Sequence, residues 1–303
     1  MATIVMTGGT SGFGAIAAER LTRQPGGARL ILGARRPATA GESIPLDLTE
    51  LDSVRAFAAA VRERLNGTPV DALLLNAGLI LPGVTGRTAD GFETTFAVNH
   101  LAHYLLLRLL LPVLADGATV VLTTSGTHDP ATHAGLTPPR HADPELLAHP
   151  DRDPGLDPRP RKAGEHAYTA SKLCAVLTAR SLSEHRDDRP ERLAAIAYDP
   201  GQVFGTGLAK SLPFPLRTAW SLLGASVLGR PLSRLNPHLN TRAAAGNALA
   251  DLALGLATPP DGHTYAALRR ARLTWPAPSN LARSDELAQA LWSHSARLVG
   301  LPH

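Results

Sequence analysis

The chain has 303 residues, 44% hydrophobic and 18% charged, which is enough apolar material for a large core and excludes global disorder. Its formal charge of +4 comes from 30 basic and 26 acidic residues; only Lys162, Lys172 and Lys210 are lysines, and the arginines are scattered rather than striped, which argues against a nucleic-acid partner. A single cysteine, Cys174, excludes an internal disulfide and a cysteine-based zinc site, and it suits a reducing, cytoplasmic setting.

Residues 3–7 (TIVMT) predict a buried strand, followed by a Gly-rich turn and an amphipathic helix to about residue 21. A second apolar run covers 29–33. Residues 51–65 place Leu51, Val54, Phe57, Ala58, Val61 and Leu65 on one helical face. Strands are predicted at 72–75 and 118–122 with a helix over 97–114 between them, then a helix over 168–184 and a strand over 193–198. The opening MATIVMTGG has no basic stretch before an apolar run, so no cleaved signal is expected. The apolar run 101–115 is broken by His103, Arg108 and Pro112, so no integral membrane segment is expected.

Apolar strands alternating with helices predict an α/β fold: a Rossmann-type doubly wound parallel sheet with helices on both faces, as a single domain over 1–303. Two segments break the rhythm. Residues 129–165 hold eight prolines and predict an inserted loop, either a lid, a binding loop or a disordered stretch. Residues 206–240 are apolar but punctuated by Pro213, Pro215, Pro231 and Pro237, and predict short helices joined by kinks.

The turn after the first strand reads Thr7-Gly8-Gly9-Thr10-Ser11-Gly12-Phe13-Gly14. Glycines there let backbone amides approach a pyrophosphate at a helix N-terminus, which makes Gly8, Thr10, Ser11, Gly12, Phe13 and Gly14 candidate cofactor residues. After the second strand come Arg35 and Arg36, with no carboxylate until Glu42. An arginine in that place accommodates the 2′-phosphate of NADP(H), where NAD would want an acid; Arg35 lies nearer the strand end.

Tyr168 and Lys172 stand at i, i+4 in YTASK, roughly 40° apart on one helical face. An ammonium beside a phenol favours the phenolate and makes the tyrosine usable as a general acid/base. Ser125 follows the fourth strand, Asn76-Ala77-Gly78 follows the third, and Asn99 lies in a predicted helix. The carboxyl edge of such a sheet is where ligands bind.

These motifs resemble the short-chain dehydrogenase/reductase family over nearly the whole chain, from TGGTSGFG through Asp47-Leu48, LNAG, VNHLAHY, Ser125 and YTASK to Asp199-Pro200-Gly201. The resemblance implies that Ser125 orients a substrate oxygen and Tyr168 moves the proton. Lys172 would hold the nicotinamide ribose and depress the Tyr168 pKa, and Asn99 would fix a water in a proton relay. Asp47 and Leu48 would flank the adenine, Asn76, Ala77 and Gly78 the adenosine ribose, and Pro200, Gly201 and Val203 the nicotinamide. The subgroup of retinol dehydrogenases and light-dependent protochlorophyllide reductases is more similar still, through VNHLAHYLL, the long interval between Ser125 and Tyr168, GTGLAKSLPFPLR and ALWSHSARLVGL. Those protochlorophyllide reductases carry a cysteine directly after Pro-Gly, where this chain has Gln202, a departure that speaks against their chemistry.

The resemblance places a substrate lid in 206–240, whose apolar composition beside 200–203 predicts a bulky apolar substrate. The expected function is an NADPH-dependent ketoreductase or secondary alcohol dehydrogenase, in bacterial natural-product metabolism by its Ala- and Arg-rich, Lys-poor composition. The alternatives are reduction of a C=C bond, or a non-catalytic NADP-binding sensor. His100 and His103 predict packing and hydrogen bonding rather than a metal site, and Arg269, Arg270 and Arg272 predict a solvated edge. A homo-oligomer is left open.

Overall fold

A computed structural model describes residues 1–24, 26–184, 193–203 and 236–302. Strand β1 (Thr3–Thr7) is wholly buried, and its β-branched side chains pack against both layers. It lies inside an eight-stranded sheet formed with β2 (Arg29–Ala34), β3 (Glu42–Pro45), β4 (Val70–Leu75), β5 (Leu114–Thr123), β6 (Ala194–Asp199), β9 (Tyr265–Arg269) and β10 (Arg272–Thr274). The order is β10-β9-β6-β5-β4-β1-β2-β3, parallel throughout except for β10 against β9. The direction of winding reverses between β1 and β4, which opens a crevice at their carboxyl ends. A separate parallel pair joins β7 (Gln202–Val203) to β8 (Leu239–Asn240).

Two apolar layers cover the sheet. One is built by α1 (Gly12–Arg23) and α6 (Arg242–Ala253), through Ala17, Leu21, Leu249 and Leu252. The other holds α2 (Leu51–Leu65), α3 (Thr94–Val113), α5 (Pro160–Glu184) and α7 (Asp285–Leu298). Helix α3 is long and apolar enough to cross a membrane by length and composition, but most of it is buried in this core. This is the doubly wound architecture predicted.

Three expectations need correction. β3 was not foreseen, and Asp47 and Leu48 follow it. The proline-rich segment is not irregular throughout: α4 (Pro144–Ala148) lies inside it, and α5 starts at Pro160, eight residues before Tyr168. The predicted helix over 97–114 is interrupted by a π-turn at Ala97–Leu101, where the Ala102 N–H donates to the Ala97 carbonyl. Such single turns concentrate at functional positions, and this one carries Asn99. The lid expected over 206–240 lies, apart from its last residues, outside the described residues.

Candidate active site

The Gly-rich turn is held by hydrogen bonds from the neighbouring strand ends. Thr7 Oγ1 accepts from the backbone N–H groups of Asn76 and Ala77 at 3.0 and 3.1 Å. With both lone pairs taken, its own proton points to His103 Nε2 at 3.0 Å. Asn76 Nδ2 donates to the Gly8 carbonyl at 3.1 Å, and Asn76 Oδ1 accepts from Thr123 Oγ1 at 2.9 Å. Gly8 has φ +68°, and a Cβ there would stand 2.7 Å from Ala77 N; a Cβ on Gly14 would collide with the Gly8 carbonyl. The turn therefore folds only with glycine at both positions. Ser11 begins α1 without a side-chain cap bond, so the helix N-terminus and the glycine amides face the crevice with their donors available to an anion.

A cleft of about 340 Å³ runs from this turn along the switch point. Thr10, Ser11, Gly12 and Phe13 line it with Gly8 and Gly14 at one end. Arg35, Asp47 and Leu48 form one wall, and Asn76, Ala77 and Gly78 the floor. Ser125, Tyr168 and Lys172 lie at the far end with Pro200, Gly201 and Val203. Arg36 does not line the cleft and Arg35 does; among the described residues no ion pair ties Arg35. Asp47 turns its carboxylate onto Thr49, accepting from that residue's N–H and hydroxyl at 2.9 and 2.7 Å. The glycine cradle, the free helix N-terminus and the length of the cleft fit a dinucleotide.

At the far end Tyr168 and Lys172 are both 6% exposed. The Ser125 side chain stands within hydrogen-bonding reach of the Tyr168 phenol. Lys172 Nζ donates to the Thr123 carbonyl at 3.0 Å and lies 5.6 Å from the centre of the Tyr168 ring. The expected depression of the phenol does not occur in the protein alone. Burial pushes Tyr168 up to about 12 against the opposing Ser125 side chain, and the Asp199 carboxylate adds to the rise. The same burial brings the Lys172 ammonium down to about 8.

Asn99 does not line the cleft but stands behind it. Its Oδ1 accepts from Leu79 N, and its Nδ2 donates to the Leu79 carbonyl and to Ser171 Oγ, all at 2.9 Å. Both ends of the amide are thus engaged by protein. Its backbone carbonyl accepts from His103 Nδ1 at 3.2 Å. Burial lowers His103 to about 4 and His100 to about 3, so both are neutral at physiological pH, as expected of packed histidines. Among the described residues no cluster of His, Cys, Asp and Glu could hold a metal ion.

The cluster of arginines was misjudged in one member. Arg269 is not a solvated edge residue: its guanidinium is 18% exposed and donates to Asp199 Oδ2 at 2.7 Å. The proline-rich insertion docks on α5. Thr137 donates from its N–H and hydroxyl to Glu165 Oε2 at 3.1 and 2.9 Å, and its carbonyl accepts from Thr169 Oγ1 at 2.8 Å. The Arg140 N–H donates to His166 Nε2 at 3.2 Å.

Sequence reasoning missed Thr7, Thr123, Asp199 and Arg269 as parts of the site's support. The two threonines had a signal, since each is a hydroxyl at the carboxyl end of a strand next to a named motif.

Three comparisons agree with this geometry. Residues 2–134 match the family model for short chain dehydrogenase. A Streptomyces sp. (strain C5) protein named as a candidate daunorubicin C-13 ketoreductase, DnrU, is 31% identical over 98% of this chain and 92% of its own. Protochlorophyllide reductase A, chloroplastic, of Oryza sativa subsp. japonica is 29% identical over 98% of this chain and 80% of its own. Among solved structures, an uncharacterized protein from Mycobacterium Paratuberculosis superposes with a TM-score of 0.67 at 28% identity, covering 99% of this chain and 94% of that one. The chain belongs to the short-chain dehydrogenase/reductase family. It is an oxidoreductase of that class, whose members bind a nicotinamide cofactor.

Proposed function

We propose that this chain, acting as one domain, is an NADPH-dependent ketoreductase or the corresponding secondary alcohol dehydrogenase, working on a bulky apolar compound. The observation that carries the reading is the meeting of Ser125, Tyr168 and Lys172, the last two one helical turn apart, at one end of a cleft whose other end is a glycine cradle. When bound, the nicotinamide supplies or accepts the hydride. Ser125 and Tyr168 offer two hydroxyl donors converging where a carbonyl oxygen gains negative charge. Burial keeps the phenol protonated, which is the state needed to give a proton to that oxygen. Lys172 uses one of its three N–H donors on Thr123, which leaves two for ribose hydroxyls and the phenol. Asn99 ties the loop after β4 to α5 and so fixes the floor of the cleft against the helix that bears Tyr168.

Arg35 supports the choice of NADPH, because it lines the cleft just beyond β2, and the one carboxylate on that wall, Asp47, is turned onto Thr49. The name of the Streptomyces relative and the apolar stretch 207–235 support a bulky ketone from natural-product chemistry. A cytoplasmic setting fits the single, buried Cys174. The rice relative favours a second reading, reduction of a C=C bond. Against it, Gln202 is an amide with no useful acidity. The test is to incubate the protein in darkness with NADPH and either 1-tetralone or a bicyclic enone, and to identify products by NMR. The expected products are the alcohol and the allylic alcohol. A saturated ketone as the sole product from the enone would overturn the carbonyl assignment.

A further inference from the structure

The buried pair Asp199–Arg269 lies outside the donor pair, yet it touches both walls of the far end of the site. Asp199 closes β6 and is fully buried. Its Oδ1 accepts from the Gly201 N–H at 2.9 Å, which shapes the turn whose residues line the cleft. Its Oδ2 accepts from Tyr265 OH at 3.1 Å and from Arg269 at 2.7 Å. The same oxygen stands 3.0 Å from where a Cβ on Gly126 would be, so the residue after Ser125 meets the carboxylate with no room for a side chain. His128 completes the link. Its Nδ1 donates to the Ser125 carbonyl at 2.8 Å, and its ring packs edge-on against Tyr265 at 5.1 Å.

The donors reach both carboxylate oxygens, Gly201 on one and Tyr265 with Arg269 on the other, and an amide could accept on only one of these sides, so the two-sided contact calls for a carboxylate. A lone carboxylate at this depth is costly, and Arg269 is the group that balances it. We propose that Asp199 and Arg269 are positioning residues for carbonyl reduction, clamping the Ser125 turn to the 200–203 turn and giving Tyr168 a charge-balanced wall. The inference rests on the ketoreductase reading. The titratable and charged groups around this wall are Arg269 and Tyr265 from β9, His128 and Asp129 from the turn after β5, His238 before β8, and Tyr168 and Lys172 from α5. The Asp199 carboxylate favours the protonated phenol, and that carboxylate is ion-paired with the Arg269 guanidinium.

The experiment compares Asp199→Asn, Arg269→Met, the double variant and Arg269→Lys. One readout is the alkaline limb of kcat/KM for NADPH-dependent reduction of 9,10-phenanthrenequinone. The other is the titration of ¹³Cζ-labelled tyrosine in the NADP⁺ complex; the chain has 4 tyrosines, and Tyr168→Phe assigns the signal. Arg269→Met is expected to move both midpoints up by about 0.5–1 pH unit, and Asp199→Asn to move them down by a similar amount. The double variant should return close to the parent, and Arg269→Lys should stay there. Each single variant should also lose about tenfold in kcat with a smaller change in KM for NADPH. If both single variants move the midpoints the same way, or neither moves them, the pair is structural and the proposal fails. Should Arg269→Met not fold, the opposite-signed comparison passes to Asp199→Asn and the double variant, where absence of the downward shift or of its reversal refutes the proposal. If the parent shows no quinone turnover, the ketoreductase reading fails, while the tyrosine titration still decides the electrostatic claim by its signs.

Discussion

Replacing Asn99 by alanine separates two roles for this residue, a clamp between backbone segments and a holder of solvent. The substitution deletes three hydrogen bonds of 2.9 Å, two of them to the backbone of Leu79 and one to Ser171 Oγ. Ser171 keeps its own bond to the Tyr168 carbonyl at 2.7 Å, so its loss is the smallest. The Leu79 N–H and carbonyl lose their partner in a half-buried place that water reaches only in part. At about 1 kcal/mol per bond, with a further penalty for a backbone group left unpaired, the expected loss of stability is about 2–4 kcal/mol. Urea unfolding at neutral pH measures it, with an unchanged m-value showing that the unfolded state is the same. Turnover should fall together with stability, because the floor of the cleft is no longer tied to α5. A stability loss below about 0.5 kcal/mol, within the range of an unimportant surface change, would refute the clamp.

Other outcomes follow from the same geometry. Arg35→Asp should reverse the cofactor preference, costing about one to two decades of NADPH affinity, as measured by fluorescence titration of NADPH and NADH. Tyr168→Phe should abolish turnover while leaving NADPH affinity within about threefold, since it removes a proton and little surface. Gly14→Ala should abolish dinucleotide binding in the same titration, because the added carbon meets the Gly8 carbonyl and 2.6 Å away the Asn76 amide. His100, His103 and His166 are lowered by burial to about 3, 4 and 4, so the unfolded chain binds more protons than the fold between pH 6.5 and those values. Stability is therefore full above pH 6.5 and falls on acidification, with each histidine contributing about 1.4 kcal/mol per pH unit over that window. Urea midpoints at pH 7.5 and 5.0 check the sign, and an equal or higher midpoint at pH 5.0 would contradict it.

Where hydrophobic spacing is regular, the fold could be read closely. α2 runs over the residues its apolar face predicts, and Asn66 ends it in a left-handed conformation with φ 44°. β1 likewise matches its run of buried residues. β3 escaped notice because ESIP is short, half-exposed and carries a proline, which edge strands tolerate. The start of α5 was hidden by Pro158 and Pro160, read as breakers; yet Pro160 is the first residue of the helix, where its missing N–H costs nothing. The motif residues of the site could be found because they lie at strand ends and on one helical face. Arg269 could not, since a tight turn with Arg270 and Ala271 at φ 50° and 60° sends one arginine of three inward, and composition carries no trace of that. The protonation of Tyr168 was also out of reach, because burial outweighs the opposing Ser125 side chain and burial is a property of the packed chain.

The docking of Thr137 and Arg140 on the first turns of α5 has a consequence for how this chain exchanges parts with its relatives. Glu165 is pulled two ways: burial pushes it up, while bonds from Lys162, Thr137 and Arg161 hold it at about 2, so it stays an acceptor for the insertion at any ordinary pH. The insertion and the helix carrying Tyr168 then open and close as one cooperative unit rather than as a loop beside a helix. Amides of 163–169 and the Thr137 and Arg140 amides should share one hydrogen-exchange rate. A chimera that imports a new substrate specificity should therefore take 137–172 whole, and one that cuts inside it transplants a tyrosine without the surface that orients it.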